Sequence, residues 1–222
     1  MLEKEVKILL TKEEYELIER SFDFATEIEQ LNRYYTCSAC VEKRISVRVR
    51  EIGGRALLQA KVPVAVTAEE AGSGSLMVRE EIEKELTAAP VTIPAELIME
   101  ICGTAEEARQ LGSLRTVRKL CYDYEGIELA LDLNEYLGIT DYELEAEYTG
   151  SYPTGLLAEL KALGIDTEKP AHGKYSRFCY ALESDTKEDA EEDTEPETEP
   201  EETPADAKDT PDTEIPAPGR EE

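Results

Sequence analysis

Several segments of the chain place carboxylates two residues apart, the spacing at which residues of a β-strand share one face. Glu3 and Glu5 stand at this spacing, and Glu143 and Glu145 repeat it near the other end of the sequence. Two carboxylates about 7 Å apart along a strand can converge on one cation when a second pair faces them across a barrel. Hard oxygen ligands favour Mg²⁺ or Mn²⁺, so the pattern indicates a divalent metal site.

Basic side chains follow the same two-residue pattern in other segments. Arg48 and Arg50 share a face opposite Val47 and Val49, and Lys7 continues the face of the first acidic pair. Arginine binds phosphate oxygens through a planar fork of donors, and lysine supplies a compact positive charge. Metal-binding carboxylates combined with such cations are the usual arrangement for transferring a phosphoryl group.

The alternation also has a simpler explanation, in which each charged face is the solvated outer surface of a β-sandwich with charges paired across strands. Any single strand fits that explanation. The division of the charges favours a binding site instead, because some strands carry carboxylates at this spacing and others carry guanidiniums. The residues alone leave both explanations open.

Period-two runs predict the strands that would carry these side chains. A first strand over 2–10 leads through the capping box Thr11-Lys12-Glu13-Glu14 into a helix that ends near residue 22. Further strands are predicted over 29–36, 44–51, 56–62, 76–86, 114–124, 128–134, 141–148 and 175–182, with helices over 94–103, 105–111 and 154–163 and a loop over 67–75. Many strands with short turns such as Gly53-Gly54 favour an antiparallel barrel or sandwich over a parallel sheet.

Composition separates the 222 residues into two parts. Residues 184–222 contain seventeen acidic residues against three basic ones and no aromatic residue, so we predict a disordered acidic tail rich in Pro, Glu and Thr after a folded domain over 1–183. A net charge of −27 argues against nucleic acid as a partner. The lack of a basic leader and of 18 consecutive apolar residues predicts no membrane association and a cytoplasmic location.

Cysteine and histidine offer little further chemistry. The five cysteines form no regular disulfide framework, and Cys37-Ser38-Ala39-Cys40 is a CxxC without a second pair. A structural zinc site needs four ligands, and His172 is the single histidine. We therefore predict free thiols in a loop and a surface histidine, rather than zinc binding, dithiol redox chemistry or a histidine-based catalytic triad.

The pattern Glu3-Lys4-Glu5-Val6-Lys7 resembles the ExExK signature of the CYTH superfamily, the triphosphate tunnel metalloenzymes. The resemblance continues in the family's order over about residues 1–180, through Arg48-Val49-Arg50, Leu57-Leu58-Gln59-Ala60-Lys61, Arg118-Lys119, Asp141-Tyr142-Glu143-Leu144-Glu145 and Lys174-Tyr175-Ser176-Arg177-Phe178. The DYELE and K-x-x-RF patterns are similar to those of CYTH proteins from Gram-positive bacteria. One departure lies after Tyr34-Tyr35, where Thr36 and Cys37 replace the acidic turn usual in the family.

The resemblance implies a mainly β, α+β fold: an eight-stranded antiparallel β-barrel with a few flanking helices, whose lumen holds triphosphate. Its metal ligands would be Glu3, Glu5, Glu143 and Glu145, with Asp132 and Glu81 nearby. Its phosphate-binding residues would be Lys7, Arg48, Arg50, Lys61, Arg118 and Lys174. The residues expected to be catalytic are Glu3, Glu5, Lys7, Glu143 and Glu145.

Two of these assignments, and the placement of Arg177 outside the site, depend on local register. Glu81 is one of several glutamates crowded into one segment. Arg118 is preferred to Arg115 because it aligns better before the hairpin that leads to the strand of Asp132. Arg177 lies three residues from Lys174, so strand alternation places it on the opposite face or at the rim.

The residues and the resemblance together predict a metal-dependent hydrolase that releases phosphate from inorganic triphosphate or an organic triphosphate, as a monomer or homodimer. An adenylate cyclase-like activity and non-catalytic binding of polyphosphate or a nucleotide are the alternatives. The site residues all address the phosphate chain. The sequence therefore leaves the nonphosphate group of the substrate open.

Overall fold

A computed structural model describes residues 4–64, 78–169 and 171–192. The strands are β1 (Glu5–Leu10), β2 (Thr26–Thr36), β3 (Ser46–Ile52), β4 (Arg55–Val64), β5 (Val78–Leu86), β6 (Thr92–Ile93), β7 (Ala108–Cys121), β8 (Ile127–Tyr136) and β9 (Ile139–Tyr148). The helices are α1 (Lys12–Ser21), α2 (Ser38–Glu42), α3 (Ala95–Cys102), α4 (Thr154–Ala162) and α5 (Lys174–Glu192). The predicted loop over 67–75 lies outside the described ranges, as does the predicted acidic tail after residue 192. Residues 184–192, predicted to be disordered, instead continue the helix α5.

All of these strands belong to one antiparallel sheet with the order β1-β9-β8-β7-β2-β3-β4-β5, and the short β6 pairs with β7. The predicted mainly antiparallel β fold is confirmed. Within the described ranges no ladder joins the edge strands β1 and β5, so the sheet is not closed by hydrogen bonds. It is nevertheless curled, because residues from all eight strands of this order line a single cavity. The strands thus form a tunnel.

The apolar faces of the strands pack outward against the helices. Val47 and Val49 of β3 lie in one hydrophobic cluster with Ile98 of α3. Ile8 of β1 and Leu144 of β9 lie in a second cluster. That cluster also contains the buried residues Tyr15 and Ile18 of α1 and Leu156 and Leu160 of α4. Because side chains alternate along a strand, the charged faces of the same strands must point into the tunnel. This arrangement excludes the explanation by solvated outer faces.

Local sequence signals explain where several elements begin and turn. Thr11 accepts a hydrogen bond from the Glu14 amide at 3.2 Å, and the Glu14 carboxylate accepts one from the Thr11 amide at 2.8 Å, which completes the capping box of α1. Gly53 and Gly54 have φ of 56° and 79°, the left-handed values that a tight hairpin between β3 and β4 requires. These predicted boundaries are therefore confirmed.

The last predicted strand is instead the helix α5. Tyr175, Phe178 and Leu182 recur at helical spacing, and all three belong to one hydrophobic cluster with Tyr34 of β2 and Leu114 of β7. Aromatic residues favoured a strand by propensity, but burial of one helical face decided the outcome. Tyr34 and Leu114 are in phase with lumen residues of their strands, so α5 packs on the inner face of the sheet.

Two smaller predictions were also wrong. Residues 105–111 do not form a helix, because β7 starts at Ala108 and pairs with both β6 and β2. The segment around Cys37 and Cys40 is not a loop but holds the short helix α2, whose first turn is fixed by a 3.1 Å hydrogen bond from Val41 N to Cys37 O. The predicted free thiols are present.

Candidate functional site

The tunnel contains two adjoining cavities. The charged chamber, about 300 Å³, is lined almost entirely by polar side chains that include Gln30, Asn32, Arg50, Glu81, Glu83, Thr116, Arg118 and Glu128. The mixed chamber, about 400 Å³, adds Tyr34, Ser46, Val47, Ala171, Gly173, Tyr175 and Ser176. Both chambers share Glu5, Lys7, Arg48, Gln59, Lys61, Glu145 and Lys174. One end of the tunnel is therefore highly charged, and the other is partly apolar.

Three buried carboxylates form the acidic part of the site. Asp132 of β8 is the direct cross-strand partner of Glu143 of β9, and Glu145 stands two residues further along β9. One ligand oxygen from each lies within 4.8 Å of the other two, and all three side chains are buried. We call Asp132, Glu143 and Glu145 the carboxylate cluster.

Cations surround the carboxylate cluster. Lys174 Nζ, at the start of α5, lies 2.8 Å from Asp132, 2.6 Å from Glu143 and 2.8 Å from Glu145. Arg118 donates two hydrogen bonds to Asp132 at 2.8 and 2.7 Å and also contacts Glu145. Sheet register explains these contacts, because Arg118 is the cross-strand partner of Asp132.

Lys7 of β1 completes this set from the neighbouring edge strand. It is the cross-strand partner of Glu145 and donates to it at 2.6 Å. The same ammonium pairs with Glu5 at 2.6 Å. Burial lowers the pKa of Lys7, but Glu145 and Glu5 outweigh that effect and leave the pKa raised. Lys7 is therefore held as a cation at the tunnel wall.

Burial and charge act in opposite directions on the two glutamates of β9. Burial raises the pKa of Glu143, and the adjacent Glu145 carboxylate adds to the rise. Burial also opposes ionisation of Glu145, but Lys174, Lys7 and Arg118 hold its pKa well below the usual range. The three carboxylates raise the pKa of Lys174 despite its burial. The site thus retains fixed charges of both signs away from bulk water.

A basic wall lies on β3 and β4. Arg48 and Arg50 are in phase on β3, and Lys61 on β4 lines both chambers. Arg48 Nε donates to the side-chain oxygen Oε1 of Gln59 at 2.9 Å, and Arg50 Nε donates to Oδ1 of Asn32 at 3.2 Å. Burial, with the charges of Arg48 and Arg118, lowers the pKa of Arg50 to about 10. Neutral partners orient these guanidiniums without cancelling their charge, which suits them to an anion.

The structure places most of the predicted site residues on the tunnel wall. Glu5, Lys7, Arg48, Arg50, Lys61, Glu81, Arg118, Glu145 and Lys174 all line it, and Asp132 and Glu143 join through the carboxylate cluster. Glu5 and Glu81 line the wall without belonging to that cluster. Glu3 lies outside the described residues.

Arg118 and Arg115 occupy opposite faces of β7. Arg118 points into the tunnel, as predicted. Arg115 instead bridges Glu29 at 2.8 Å and Glu135 at 2.6 Å on the exposed face. Of these two arginines, Arg118 is thus the one that lines the tunnel, and its role as a phosphate ligand stays a prediction.

Arg177 is the residue whose predicted placement was wrong. Because 174–182 is helical, a spacing of three puts Arg177 on the same side of α5 as Lys174. Arg177 donates to Asp141 at 2.8 and 3.1 Å, and its Nη1 lies 2.6 Å from Glu143 Oε2. The contact with Glu143 is an ion pair without hydrogen-bond alignment, so the buried Oε2 of Glu143 has an electrostatic partner but no hydrogen-bond donor among the described residues. The K-x-x-R spacing would have identified Arg177 had the segment been interpreted as a helix.

Tyr34 was also missed by the sequence analysis. Its side chain is buried beside the rings of Tyr175 and Phe178, at centroid distances of 5.1 and 5.0 Å. Tyr34 lines the mixed chamber, and its buried hydroxyl has no hydrogen-bond partner among the described residues. Aromatic residues are common in strands for packing reasons, so the sequence carried no signal for this unpaired donor.

The carboxylate cluster fits a divalent metal ion in its chemistry. Its oxygens are hard donors, and Glu143 Oε2 is a buried oxygen without a hydrogen-bond donor among the described residues. Lys174 now occupies the space between the three carboxylates. A metal ion at the cluster must therefore compete with Lys174 for the same oxygens.

Comparisons with known proteins agree with this geometry. A candidate adenylate cyclase from Bacillus halodurans has 23% identity and a TM-score of 0.59, covering 80% of this chain and 97% of its own. A candidate adenylyl cyclase from Hippeastrum, described as having a dominant triphosphatase activity, has 22% identity and a TM-score of 0.63, covering 81% of this chain and 96% of its own. At these identities the likeness shows the fold alone.

Sequence comparison identifies the family. None of the curated proteins matches the chain. No helix in the described part of the chain is long and apolar enough to cross a membrane.

The CYTH domain profile matches residues 1–151, which is more than half of the sequence and includes β1 to β9. The chain therefore belongs to the CYTH family.

Proposed function

We propose that this protein is a divalent-metal-dependent triphosphatase that hydrolyses the terminal phosphoryl group of a triphosphate. The observation that supports this most is the division of one tunnel between the carboxylate cluster on β8 and β9 and the basic wall on β3 and β4. A triphosphate carries several negative charges, and a narrow, largely desolvated site strengthens its attraction to fixed cations.

In this proposal the basic residues bind the phosphate chain. Arg48 and Arg50 provide planar donors, and their neutral amide partners hold the guanidiniums in place. The remaining proposed phosphate ligands are Lys7, Lys61, Arg118 and Lys174. These side chains position the substrate before reaction, so the protein does not have to reorganise as charge shifts.

The acidic residues have the complementary role. Glu5, Glu143 and Glu145, with Glu3, are the proposed metal ligands, and Asp132 and Glu81 contribute nearby. A bound Mg²⁺ or Mn²⁺ would neutralise charge on the terminal phosphoryl group and lower the barrier to attack by water. A carboxylate of the cluster that does not hold metal is left to orient that water. With a metal ion at the cluster and a triphosphate in the tunnel, Lys174 would contact the phosphate oxygens instead of the three carboxylates.

Adenylate cyclase-like activity is the second candidate, and the mixed chamber is the observation that favours it. Its 400 Å³ adjoins the charged chamber and is lined partly by Tyr34, Ala171 and Tyr175, which suits a group less polar than phosphate. An organic triphosphate would place its nonphosphate group there. A cyclase and a triphosphatase are separated by their products, because only a cyclase releases pyrophosphate and a cyclic nucleotide from ATP.

The test is release of phosphate from tripolyphosphate, ATP and thiamine triphosphate, with Mg²⁺ or Mn²⁺ and with chelator. We expect metal-dependent release of phosphate by the wild type, and loss of it in Glu143→Gln and Glu5→Gln. The Glu5 side chain is 31% exposed, so its variant keeps the fold even if the buried Glu143 variant does not. Thermal unfolding shows whether each variant remains folded.

Matched controls come from the outer face of the sheet. Glu29→Gln and Arg115→Ala break an exposed ion pair and should leave turnover unchanged. Arg48→Ala removes a proposed phosphate ligand and should raise KM by about tenfold, as expected for one charge-assisted hydrogen bond. Full activity in both glutamate variants would overturn the proposal. Binding of tripolyphosphate by calorimetry without any product would instead assign a non-catalytic binding role.

A further inference from the structure

The two cysteines of the CxxC meet a third, 62 residues further along the chain, outside the tunnel between α2 and α3. Cys37 Sγ donates a hydrogen bond to Cys40 Sγ at 3.1 Å, and Cys40 Sγ lies 3.3 Å from Cys102 Sγ. Their exposed fractions are 8%, 1% and 5%. We call Cys37, Cys40 and Cys102 the thiol cluster. Cys40 is its centre, because it contacts both of the others.

The backbone around the thiol cluster is fixed from several directions. Glu106 accepts hydrogen bonds from the Ser38 and Ala39 amides at 2.9 and 3.2 Å, which holds the start of α2. Lys43 donates to the Cys102 carbonyl, which ties the end of α2 to the end of α3. The approach of the sulfurs is therefore built into the fold by contacts that do not involve the sulfurs.

Ordinary packing does not explain distances this short. A buried cysteine usually acts as a small apolar side chain, and sulfur atoms in simple contact lie about 3.6 Å apart or more. Here a second and a third sulfur approach the first well inside that limit. Cys37 precedes the first residue of α2 with extended backbone, and its sulfur lies over the first turn, 3.1 Å from that of Cys40.

A metal ion also fits the distances poorly. Thiolates that share a tetrahedral zinc ion are held roughly 3.8 Å apart by Zn–S bonds of about 2.3 Å. In addition, the carboxylate cluster is the one described group of three potential metal ligands whose atoms all lie within 4.8 Å of one another. The three sulfurs thus form a chain centred on Cys40 rather than a triangle around an ion.

We propose that the thiol cluster is a thiol–disulfide site, in which Cys40 forms a disulfide with either Cys37 or Cys102. The reactant is a low-molecular-weight disulfide such as glutathione disulfide. Nothing in the proposed triphosphatase reaction uses these thiols, so this inference stands independently of it. The site has its own reactant and its own readout.

The chemistry proceeds by two thiol–disulfide exchanges. Cys37, the most exposed of the three, loses its proton to water, attacks one sulfur of glutathione disulfide and releases one glutathione thiolate. The deprotonated Cys40 then attacks the Cys37 sulfur of the mixed disulfide and releases the second glutathione thiolate, which leaves a Cys37–Cys40 disulfide. Two cysteine thiols are oxidised, and one glutathione disulfide is reduced to two glutathione molecules.

Cys102 allows a further exchange within the protein. Its thiolate attacks the Cys40 sulfur, forms a Cys40–Cys102 disulfide and releases Cys37 as a thiolate. This second disulfide links α2 to α3 across 62 residues of sequence, so it constrains the unfolded chain far more than the first does. Burial raises the pKa of both Cys40 and Cys102, so each step that needs their thiolates is slow at neutral pH and faster at higher pH.

The test uses the full chain incubated with a series of glutathione to glutathione disulfide ratios. Acid then stops exchange, and the buried thiols are alkylated in denaturant before mass spectrometry of peptides. The wild type should lose two of its five alkylatable thiols, both from the thiol cluster. Cys102→Ser should form only Cys37–Cys40. Cys37→Ser should form only Cys40–Cys102, and more slowly, because the less exposed Cys102 must then make the first attack on glutathione disulfide. Cys40→Ser should form neither. Cys121→Ser, a buried cysteine in another hydrophobic cluster, is the matched control and should behave as the wild type.

Unfolding temperatures provide a second readout. Oxidised Cys37→Ser should unfold at a higher temperature than its reduced form, whereas oxidised Cys102→Ser should differ little from its reduced form. The proposal is overturned if all five thiols of the folded wild type remain alkylatable in excess glutathione disulfide. It is also overturned if glutathione stays attached to Cys37 without an internal disulfide, or if purified protein retains a soft metal ion that chelator removes from these cysteines.

Discussion

Replacement of Lys174 by Met tests whether one cation holds the carboxylate cluster together. Lys174 Nζ lies 2.6–2.8 Å from all three carboxylates, and its side chain is 10% exposed. Removing one partner of a buried ion pair destabilises a protein by about 3–5 kcal/mol. Arg118 and Arg177 still contact the cluster in the variant, so we expect a loss near the lower value.

The expected change is measurable by thermal unfolding. For a chain of this size each kcal/mol corresponds to roughly 2–4 °C, so Lys174→Met should lower Tm by about 6–12 °C in the presence of chelator. Lys169→Met is the matched control, because Lys169 pairs with Glu14 at 2.9 Å but its side chain is 35% exposed. A single partly exposed pair of this kind contributes about 1 kcal/mol, so the control should shift Tm by no more than about 4 °C.

Divalent metal adds a second criterion to the Lys174 test. With Lys174 removed, the three carboxylates no longer share their oxygens with an ammonium. Mg²⁺ or Mn²⁺ should therefore raise the Tm of Lys174→Met more than that of the wild type. A variant that unfolds within the range of the Lys169→Met control, and that responds to metal no more than the wild type, would refute the account of Lys174 as the counterion of the cluster.

Two further predictions concern the contact between α5 and the sheet. A Cβ at Gly112 would lie 2.8 Å from the buried ring of Phe178, so Gly112→Ala should destabilise the protein by about 1–3 kcal/mol and reduce phosphate release. In the control Gly155→Ala the added Cβ meets nothing within 4 Å, so calorimetry should show unchanged or slightly higher stability. Tyr34→Phe should leave Tm unchanged or higher and raise KM for the triphosphate by about fivefold, because its hydroxyl lacks a described protein partner. Tyr35→Phe, which breaks a 2.5 Å hydrogen bond to the Pro90 carbonyl, should instead lower Tm and leave KM unchanged, and the opposite pattern in this pair would contradict the assignment.

Strand alternation made much of the tunnel wall predictable from the sequence. A period of two determines which side chains share a face, so Glu5 with Lys7 and Arg48 with Arg50 were grouped correctly. Alternation cannot tell which of the two faces is inside. That depended on the helices, because α1, α3 and α4 cover the apolar faces and leave the charged faces to line the lumen.

The segment containing Lys174 and Arg177 shows why local patterns were insufficient. Its aromatic residues favour a strand, and its spacing of apolar positions equally fits a helix. Burial of Phe178 between β2 and β7 resolved the ambiguity, and this single change of element brought Arg177 to Glu143. The position of Arg177 thus depended on whether its segment formed a strand or a helix, and only tertiary packing decided between the two.

The sequence by itself determined the charged faces, the antiparallel strands and the types of side chain that address phosphate and metal, because all of these follow from composition and from a period of two. Tertiary structure decided how those faces combine. Cross-strand register placed Asp132 beside Glu143, and α5 inserted Lys174 between them. It also brought Cys102 to Cys40 from the end of a separate helix. These contacts join residues far apart in the chain, and only the packed fold specifies them.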